Sequence, residues 1–346
     1  MNSASMRDVA RDAGVSVATV SAVVNGVDIV KPATLERVQQ SIQKLGYIPN
    51  QSARGLAAQK TFTVGALCTD YPKNVISDLD AAERQNMFFG TYINRIVERM
   101  NPVGYGITVE NFSYIENPEA LPAILTRSRL DGIFVLGSLY DDHLLETLMK
   151  QIPAVVAVGR HTEIADHVQG EYVESMAMCV RYLVNRGHKK IAYACCDKLT
   201  GGFRYKMQGF QEAMAEAGLS VDSDMYFPSH QTRSEGYRVG QAVCALPPEK
   251  FPTAILCACD TVAAGIYQCF SEKGIRIPQD VSLIGYENLL FDRYLIPNLT
   301  SVDFHKEEMV ECACEMMIER IRDPQRPIQS VVIPYTIVER ESVREL

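Results

Sequence analysis

Residues 4–56 determine the predicted fold of the N-terminal part of the chain. They read ASMRDVARDAGVSVATVSAVVNGVDIVKPATLERVQQSIQKLGYIPNQSARGL. Ser5 and Asp8 have the spacing of a capping box, and Gly14 suits the left-handed residue that ends a helix. Ser16 is then placed to cap a second short helix. Two short helices joined at a glycine, with a third helix behind them, predict a helix-turn-helix whose second helix can enter a DNA major groove.

The predicted second helix has a buried side and an outward side. Val20, Val23 and Val24 recur at helical spacing, so we expect them to pack against the other helices. Short side chains occupy the outward side, which therefore offers mainly methyl groups and hydroxyls to base edges. The residues of this unit predicted to contact DNA are Ser16, Val17, Ala18, Thr19, Ser21, Ala22 and Asn25. A small three-helix bundle with no DNA role is the open alternative.

Charge is distributed unevenly along the chain. Residues 1–60 contain seven Lys or Arg and four Asp or Glu, and seven minus four gives a net charge of +3. The whole chain carries −8, so the remaining residues carry −8 minus +3, which is −11. A basic N-terminal part on an acidic body indicates phosphate binding at that end.

Two motifs carry a resemblance to a known family. The first, from Asp8 to Gly26, is D-V-A-x-x-A-G-V-S-x-x-T-V-S-x-V-x-N-G, and the second, from Gly46 to Leu56, is G-Y-x-P-N-x-x-A-R-x-L. Together they resemble the lactose-repressor (LacI/GalR) family of bacterial transcription regulators. The resemblance implies a sequence-specific repressor that binds a pseudo-palindromic operator as a homodimer.

The segment after the third helix is expected to act as a hinge. Residues 52–58 are long enough for two helical turns, which are marginal in isolation and should order only against a partner. The resemblance implies that two such helices pair on DNA and that Leu56 enters the minor groove. An ordinary linker leucine is the alternative. The hinge residues that the resemblance assigns to DNA are Asn50, Ala53, Arg54 and Leu56.

The rest of the chain alternates short apolar strands with helices, one of them predicted at 118–128. This pattern predicts an α/β body of parallel sheets in two lobes, with a cleft at the carboxyl ends of the strands. The resemblance implies a two-lobed, periplasmic-binding-protein-like core with three crossovers behind an all-α headpiece. The predicted domains are a helix-turn-helix domain at 1–48, a hinge at 49–60 and a ligand-binding and dimerisation core at 61–346, divided into an N-lobe of about 61–160 plus 292–323 and a C-lobe of about 161–291 plus 324–346.

Several classes of function lack support in the sequence. It contains no phosphate-binding loop, dinucleotide fingerprint, nucleophile elbow or H-E-x-x-H motif, so no cofactor and no enzyme activity are predicted. The ten cysteines lack zinc-site pairing and are interpreted as reduced core residues, with no metal site. No secretion signal or membrane span is visible, which favours a cytoplasmic protein without membrane contact.

The resemblance also implies an effector, a sugar or related metabolite, bound between the lobes. Several positions depart from the family pattern: Lys206 stands in place of Arg, Cys259 in place of Asn, and Glu287 in place of Asp. Asp260 is also expected to cap the helix that follows it. The residues assigned to effector binding are Phe88, Phe89, Arg160, Arg204, Lys206, Cys259, Asp260 and Glu287.

The sequence is compatible with three hypotheses about the function of the whole chain. The favoured one is a ligand-controlled, DNA-binding repressor. The alternatives are a solute-binding protein of the same fold without a DNA role, and an α/β enzyme. The polar stretch at 71–86 is longer than a usual strand-to-helix connection, and either a lid over the cleft or a surface loop would account for it.

Overall fold

The structure is a computed structural model that divides into two compact units, Met1–Phe62 and Thr63–Leu346. The first unit is the helical headpiece and the second is the α/β core. The residues that the structure describes are 4–24, 30–47, 60–70, 77, 79, 82, 85–114, 118–196, 202–220 and 222–346.

The headpiece contains three helices, and local sequence signals set their ends. The first helix, α1, begins after Ser5, whose hydroxyl accepts the Asp8 N–H at 3.3 Å, while the Asp8 carboxylate accepts the Ser5 N–H at 3.0 Å. This is the predicted capping box. Gly14 ends α1 with a φ of 64°, as expected for a glycine C-cap. The helices are α1 Met6–Ala13, α2 Val17–Val24 and α3 Pro32–Leu45.

One small apolar core joins the three headpiece helices. Its buried members come from each helix and from the second residue after α3, and the Ser41 hydroxyl donates to the Val9 carbonyl at 3.3 Å within it. On the surface, Lys44 of α3 pairs with Asp12 of α1 at 2.7 Å. The buried members of this core are Val9, Ala10, Ala13, Val20, Val38 and Tyr47.

The core contains two sheets, and the first consists of six parallel strands. Its central strands are buried throughout because helices cover both faces. In chain order the strands are β1 Thr63–Thr69, β2 Gly106–Phe112, β3 Gly132–Leu136, β4 Val155–Val158, β5 Asp166–Gly170 and β10 Ser330–Ile333; their spatial order is β10-β5-β4-β3-β1-β2. The helices of this lobe are α4 Gly90–Met100, preceded by a π-helical turn at Gln85–Phe89, then α5 Ala123–Arg127, α6 Asp142–Met149 and α11 Lys306–Arg322.

The second sheet has five strands in the order β11-β9-β8-β7-β6. Four of them are parallel and β11 runs antiparallel to β9, so this sheet is mixed rather than purely parallel as predicted. Its strands are β6 Ile191–Ala194, β7 Ala254–Cys257, β8 Ser282–Tyr286, β9 Thr300–Asp303 and β11 Thr336–Val338. The helices of this lobe are α7 Tyr172–Val184, α8 Gly202–Glu216, α9 Arg233–Cys244 and α10 Asp260–Lys273.

The chain passes between the sheets three times, after β5, after β9 and after β10, in agreement with the expected architecture. The predicted lobe boundaries are wrong at three strands. Both β5 and β10 belong to the first sheet although 161–291 and 324–346 were assigned to the C-lobe. Conversely, β9 belongs to the second sheet although 292–323 was assigned to the N-lobe.

Two local differences from the sequence predictions have physical causes. The helix predicted at 118–128 is reduced to α5, because a residue that precedes a proline disfavours helical geometry and Pro122 becomes the N-cap. The carboxylate of Glu110 then accepts the N–H groups of Ala123 and Ile124. Strand β5 was not predicted, because its sequence DHVQG is polar. Its Asp166 is buried against Arg320 of α11, with oxygen–nitrogen distances of 2.7 and 2.9 Å.

Candidate functional site

The N-terminal end of α2 presents the surface predicted to read DNA. Ser16 caps this helix, since its hydroxyl accepts the Thr19 N–H at 3.1 Å and lies 2.9 Å from the Thr19 hydroxyl. Val17 is 42% exposed and Ala18 is also exposed, so their methyl groups are accessible to a ligand. The geometry suits close apolar contact with base edges, and the exposed Ser16 hydroxyl lies beside these methyl groups.

The other predicted DNA contacts divide into two groups. Thr19, Ser21 and Ala22 are half-buried, because the same helix also packs on α1 and α3. Predictions for the remaining positions fall outside the described residues, and so does most of the 71–86 stretch. These positions are Asn25, Asn50, Ala53, Arg54 and Leu56.

The candidate effector site lies at the carboxyl ends of the strands, between the two sheets. Thr69 ends β1 and Gly159 follows β4 on the first lobe, while Glu287 follows β8 on the second. These positions border a cavity of about 50 Å³. A cavity of this size holds little more than water, so the described arrangement is closed.

Aromatic rings form much of the cavity wall. Phe88 is half-buried and lies 5.0 Å from the ring of Phe89, which is buried; both line the cavity. Phe304 stacks on Tyr335 with centroids 4.9 Å apart. Flat apolar walls of this kind suit the face of a sugar or another planar ligand.

Lys206 is the buried cation of the site. Its ammonium donates to the carbonyl of Ala258 at 3.1 Å and lies 3.4 Å from the ring centroid of Tyr286. Burial lowers the pKa of Lys206 to about 8, and the negative charge of Glu287 opposes that change. The site therefore contains a lysine whose charge can change close to neutral pH.

Glu287 is the buried acid of the site, and its backbone has an unusual conformation. Its φ is 125°, a region that residues other than glycine rarely adopt. The strain is balanced locally: the Glu287 N–H donates to the Val302 carbonyl at 2.8 Å, and Lys306 donates to the Glu287 carbonyl. Strained residues cluster at ligand sites, which supports a functional interpretation of this position.

The two predicted arginines do not line the cavity. Arg160 pairs with Asp142 at 2.7 Å and lies 5.0 Å from the ring of Tyr140. Arg204 is exposed and stacks near Tyr205, at 5.1 Å from the ring centroid. In this closed arrangement, neither guanidinium therefore replaces at the cavity the arginine that the family has at the position of Lys206.

Cys259 and Asp260 are buried behind the cavity wall. The prediction that Asp260 caps its helix is wrong, because α10 begins at Asp260 and Cys259 is the N-cap residue. Asp260 instead accepts the Leu289 N–H at 2.9 Å and the Ser301 hydroxyl at 2.7 Å. Its carboxylate ties the loop after β8 to β9, so it supports the backbone around Glu287.

Several residues that line the cavity were not found from the sequence. Tyr172, Phe304 and Tyr335 come from the three passages between the lobes, where no motif marks them, and Gln231 comes from a loop. Tyr172 also closes the cleft directly, because its hydroxyl donates to the Gly159 carbonyl at 2.7 Å. Burial raises the pKa of Tyr172 to about 12, which keeps this donor protonated.

Other kinds of site find little support in the part of the chain that the structure describes. There, no group of three or more His, Cys, Asp or Glu side chains is arranged to hold a metal ion. None of the described helices is long and apolar enough to cross a membrane. The ten cysteines are all free thiols, and eight are buried.

Two family models match the chain. Residues 5–50 match the model of bacterial regulatory proteins of the lacI family, and residues 180–343 match that of a periplasmic binding protein-like domain. The first match covers the described headpiece, and the second covers most of the second lobe and both returning crossovers.

Full-length relatives and solved structures agree with these matches. The HTH-type transcriptional repressor PurR of Vibrio cholerae serotype O1 is 33% identical over 347 residues, 99% of each chain. The PurR of Erwinia tasmaniensis is 32% identical over 99% of this chain and 97% of its own. The lac repressor dimer bound to operator and the anti-inducer ONPF superimposes with a TM-score of 0.79 at 20% identity, over 99% of this chain and 100% of that one. A complex of the transcriptional regulator CelR with cellobiose superimposes with a TM-score of 0.71 at 24% identity, over 98% of this chain and 99% of that one.

Proposed function

The chain belongs to the lacI family of bacterial regulatory proteins, and on this basis we propose that it is a DNA-binding transcriptional repressor controlled by a small molecule. The observation that carries the proposal is the full-length similarity to a repressor, headpiece included. This similarity argues against a solute-binding protein without a DNA role. The named relatives are repressors rather than enzymes, so we also propose that the chain has no catalytic activity and acts in the cytoplasm, beside the chromosome.

Operator recognition is assigned to α2 and to the hinge. Ser16, Val17 and Ala18 are exposed at the start of α2, where a recognition helix meets base edges and phosphates. We extend the assignment to Leu56, which would widen the minor groove by insertion between base steps. Because α2 offers methyl groups in place of long polar side chains, thymine methyls and DNA deformability should contribute much of the specificity.

A homodimer provides the symmetry that a pseudo-palindromic operator requires. An apolar surface suited to pairing follows β8: Leu290, Tyr294 and Ile296 are 69%, 71% and 92% exposed. Large exposed apolar side chains clustered in one short segment are typical of a protein interface. This segment is continuous with Glu287, so a dimer contact here would be sensitive to occupancy of the cleft.

The effector is proposed to bind between Lys206 and Glu287, with its flat face against Phe88 and Phe304. A sugar or related metabolite fits this combination of apolar walls and buried charges, and the CelR neighbour binds cellobiose in the same fold. Such a ligand needs more room than the 50 Å³ of the closed cavity, so the lobes must separate for it to enter. A ligand that binds the separated and closed arrangements unequally then changes DNA affinity.

A screen for the effector followed by operator binding tests this proposal. Sugars and related metabolites are screened by thermal shift, and operator affinity is measured with and without the hit. Glu287→Gln should abolish the effect of the ligand, whereas Glu249→Gln, at an exposed surface position, should keep it. An unchanged ligand response in Glu287→Gln would place the effector site elsewhere.

A further inference from the structure

Two histidines face each other at the edge of the first sheet, outside the cavity between the lobes. His161 follows β4 and His167 lies on β5, and Nδ1 of His161 is 3.2 Å from Nε2 of His167. The ring centroids are 4.9 Å apart and the ring planes are nearly perpendicular, at 89°. His167 is buried, whereas the side chain of His161 is 42% exposed. One nitrogen of each ring therefore points at the other at the border between protein and solvent.

The far nitrogen of each ring is held by an oxygen that accepts hydrogen bonds. His161 Nε2 lies 2.7 Å from the carboxylate of Glu163, and His167 Nδ1 lies 3.2 Å from the carbonyl of Ala165. A carboxylate and a carbonyl only accept, so these two ring nitrogens carry the hydrogens. In neutral imidazoles, the two facing nitrogens are then both left with lone pairs.

The Ser330 hydroxyl and the Gln169 amide can donate to these two nitrogens when no ion is bound, and a cation between the rings would replace both donors. A tetrahedral zinc ion with Zn–N bonds of about 2.0–2.1 Å places two ligand nitrogens about 3.3 Å apart, close to the separation of the facing nitrogens. Histidines that bind metals usually donate their other N–H to a carboxylate or a backbone carbonyl, which is the arrangement around this pair. We propose that His161 and His167 form a binding site for a late first-row divalent cation such as Zn²⁺ or Ni²⁺.

Neighbouring oxygens and solvent provide the remaining ligands. The Ser330 hydroxyl lies 2.8 Å from His167 Nε2, and the Gln169 amide nitrogen lies 3.4 Å from His161 Nδ1. A half-turn of that amide brings its oxygen to the same place. A cavity of about 410 Å³ lined by His161 and Gln169 gives the ion and its waters access. With two imidazole ligands, the site suits Zn²⁺ or Ni²⁺ rather than Mg²⁺.

Binding here would join three parts of the first lobe. His161 lies on the loop after β4, His167 on β5, and Ser330 on β10, which pairs with β5 at the sheet edge. Strand β5 is also where the chain leaves for the second lobe. The ion would therefore fix the sheet edge next to a passage between the lobes. Only two histidines bind the ion, so the affinity of this site for Zn²⁺ should be lower than that of a structural zinc site with four protein ligands.

Calorimetric titration of Zn²⁺ into the metal-free full-length protein tests the site, with Mg²⁺ as the control ion. The wild type should show one saturable Zn²⁺ site and no Mg²⁺ binding. His161→Gln should lose the site without unfolding, since this side chain is partly exposed, whereas His143→Gln, at an exposed position on α6, should keep it. Glu163→Gln should weaken binding roughly tenfold or more by releasing the His161 ring.

A spectroscopic probe separates this site from adventitious binding by the cysteines. Co²⁺ in place of Zn²⁺ should give visible absorption bands without the charge-transfer band of a thiolate ligand, and His161→Gln should lose those bands. The absence of saturable Zn²⁺ binding, equal binding by His161→Gln, or a thiolate band would overturn the proposal. A proton shared by the two rings would then account for their approach.

Discussion

Replacement of Lys206 by Met should change how the stability of the core depends on pH. Lys206 is buried, and burial lowers its pKa from 10.5 to about 8. Below about pH 8 the ammonium is charged in both the folded and the unfolded chain, so the cost of burying it is fully present. Between about pH 8 and pH 10.5 the folded state loses the proton while the unfolded state retains it. The unfolded state then binds more protons, so the free energy of unfolding rises with pH.

The expected size follows from the pKa difference. Each unit is worth about 1.4 kcal/mol, so the wild type should gain about 3 kcal/mol over this interval relative to a chain without the lysine. Met has a similar unbranched shape and no charge, so Lys206→Met should lack the gain. The variant should also lose the hydrogen bond to the Ala258 carbonyl, which shifts its stability by an amount that does not depend on pH.

Denaturant unfolding of both proteins at several pH values measures the effect. The quantity of interest is the difference in unfolding free energy between wild type and Lys206→Met, because other titrating groups largely cancel in it. Glu287→Gln provides a second check: its negative charge raises the pKa of Lys206, so its removal should move the rise to lower pH. A difference that stays constant or falls between about pH 8 and pH 10.5 would refute the reasoning.

Three further changes test other parts of the account. Arg320→Leu should destabilise the core by about 3 kcal/mol in denaturant unfolding, because it removes the bidentate partner of the buried Asp166 carboxylate and leaves Arg326, at 3.4 Å, as the remaining ion pair. The exposed neighbour Arg322→Leu should cost little, and equal costs would contradict a buried pair. Tyr172→Phe should strengthen effector binding up to about fivefold in calorimetry, since its bond to Gly159 contributes about 1 kcal/mol to the closed arrangement, whose cavity is too small for the ligand; unchanged or weaker binding would exclude that role. Ala22→Arg should add a guanine preference of roughly 1–3 kcal/mol at one symmetric pair of operator positions, and identical motifs selected by both proteins would contradict contact there.

The headpiece is the part that sequence patterns predicted in detail. Its helix ends depend on neighbours within a few residues, as in the Ser5–Asp8 box and the Gly14 cap, and such signals survive in one sequence. Its core positions follow helical spacing. The alternation of strands and helices likewise predicted two lobes, because each parallel strand needs a covering helix.

The site was predicted less completely because its walls come from distant parts of the chain. The sequence predicts that Asp260 caps a helix, yet its carboxylate accepts hydrogen bonds from the Leu289 N–H and the Ser301 hydroxyl. Residue spacing does not predict contacts between such distant parts of the chain. Tyr172 and Tyr335 reach the cavity from the crossovers, where no motif marks them. Strand β5 was not predicted because its sequence is polar. It can be buried because Arg320 of α11, far along the chain, pairs with its Asp166.

Selection of binding sites from a random DNA library by the full-length wild type tests the central claim most directly. The account predicts one enriched motif with two-fold symmetry, in which thymines are frequent where α2 meets the half-sites. Affinity for that motif at near-physiological salt should exceed affinity for a scrambled duplex by at least about 10³-fold. Failure to enrich a symmetric motif, or equal affinity for the motif and the scrambled duplex, would contradict a sequence-specific repressor.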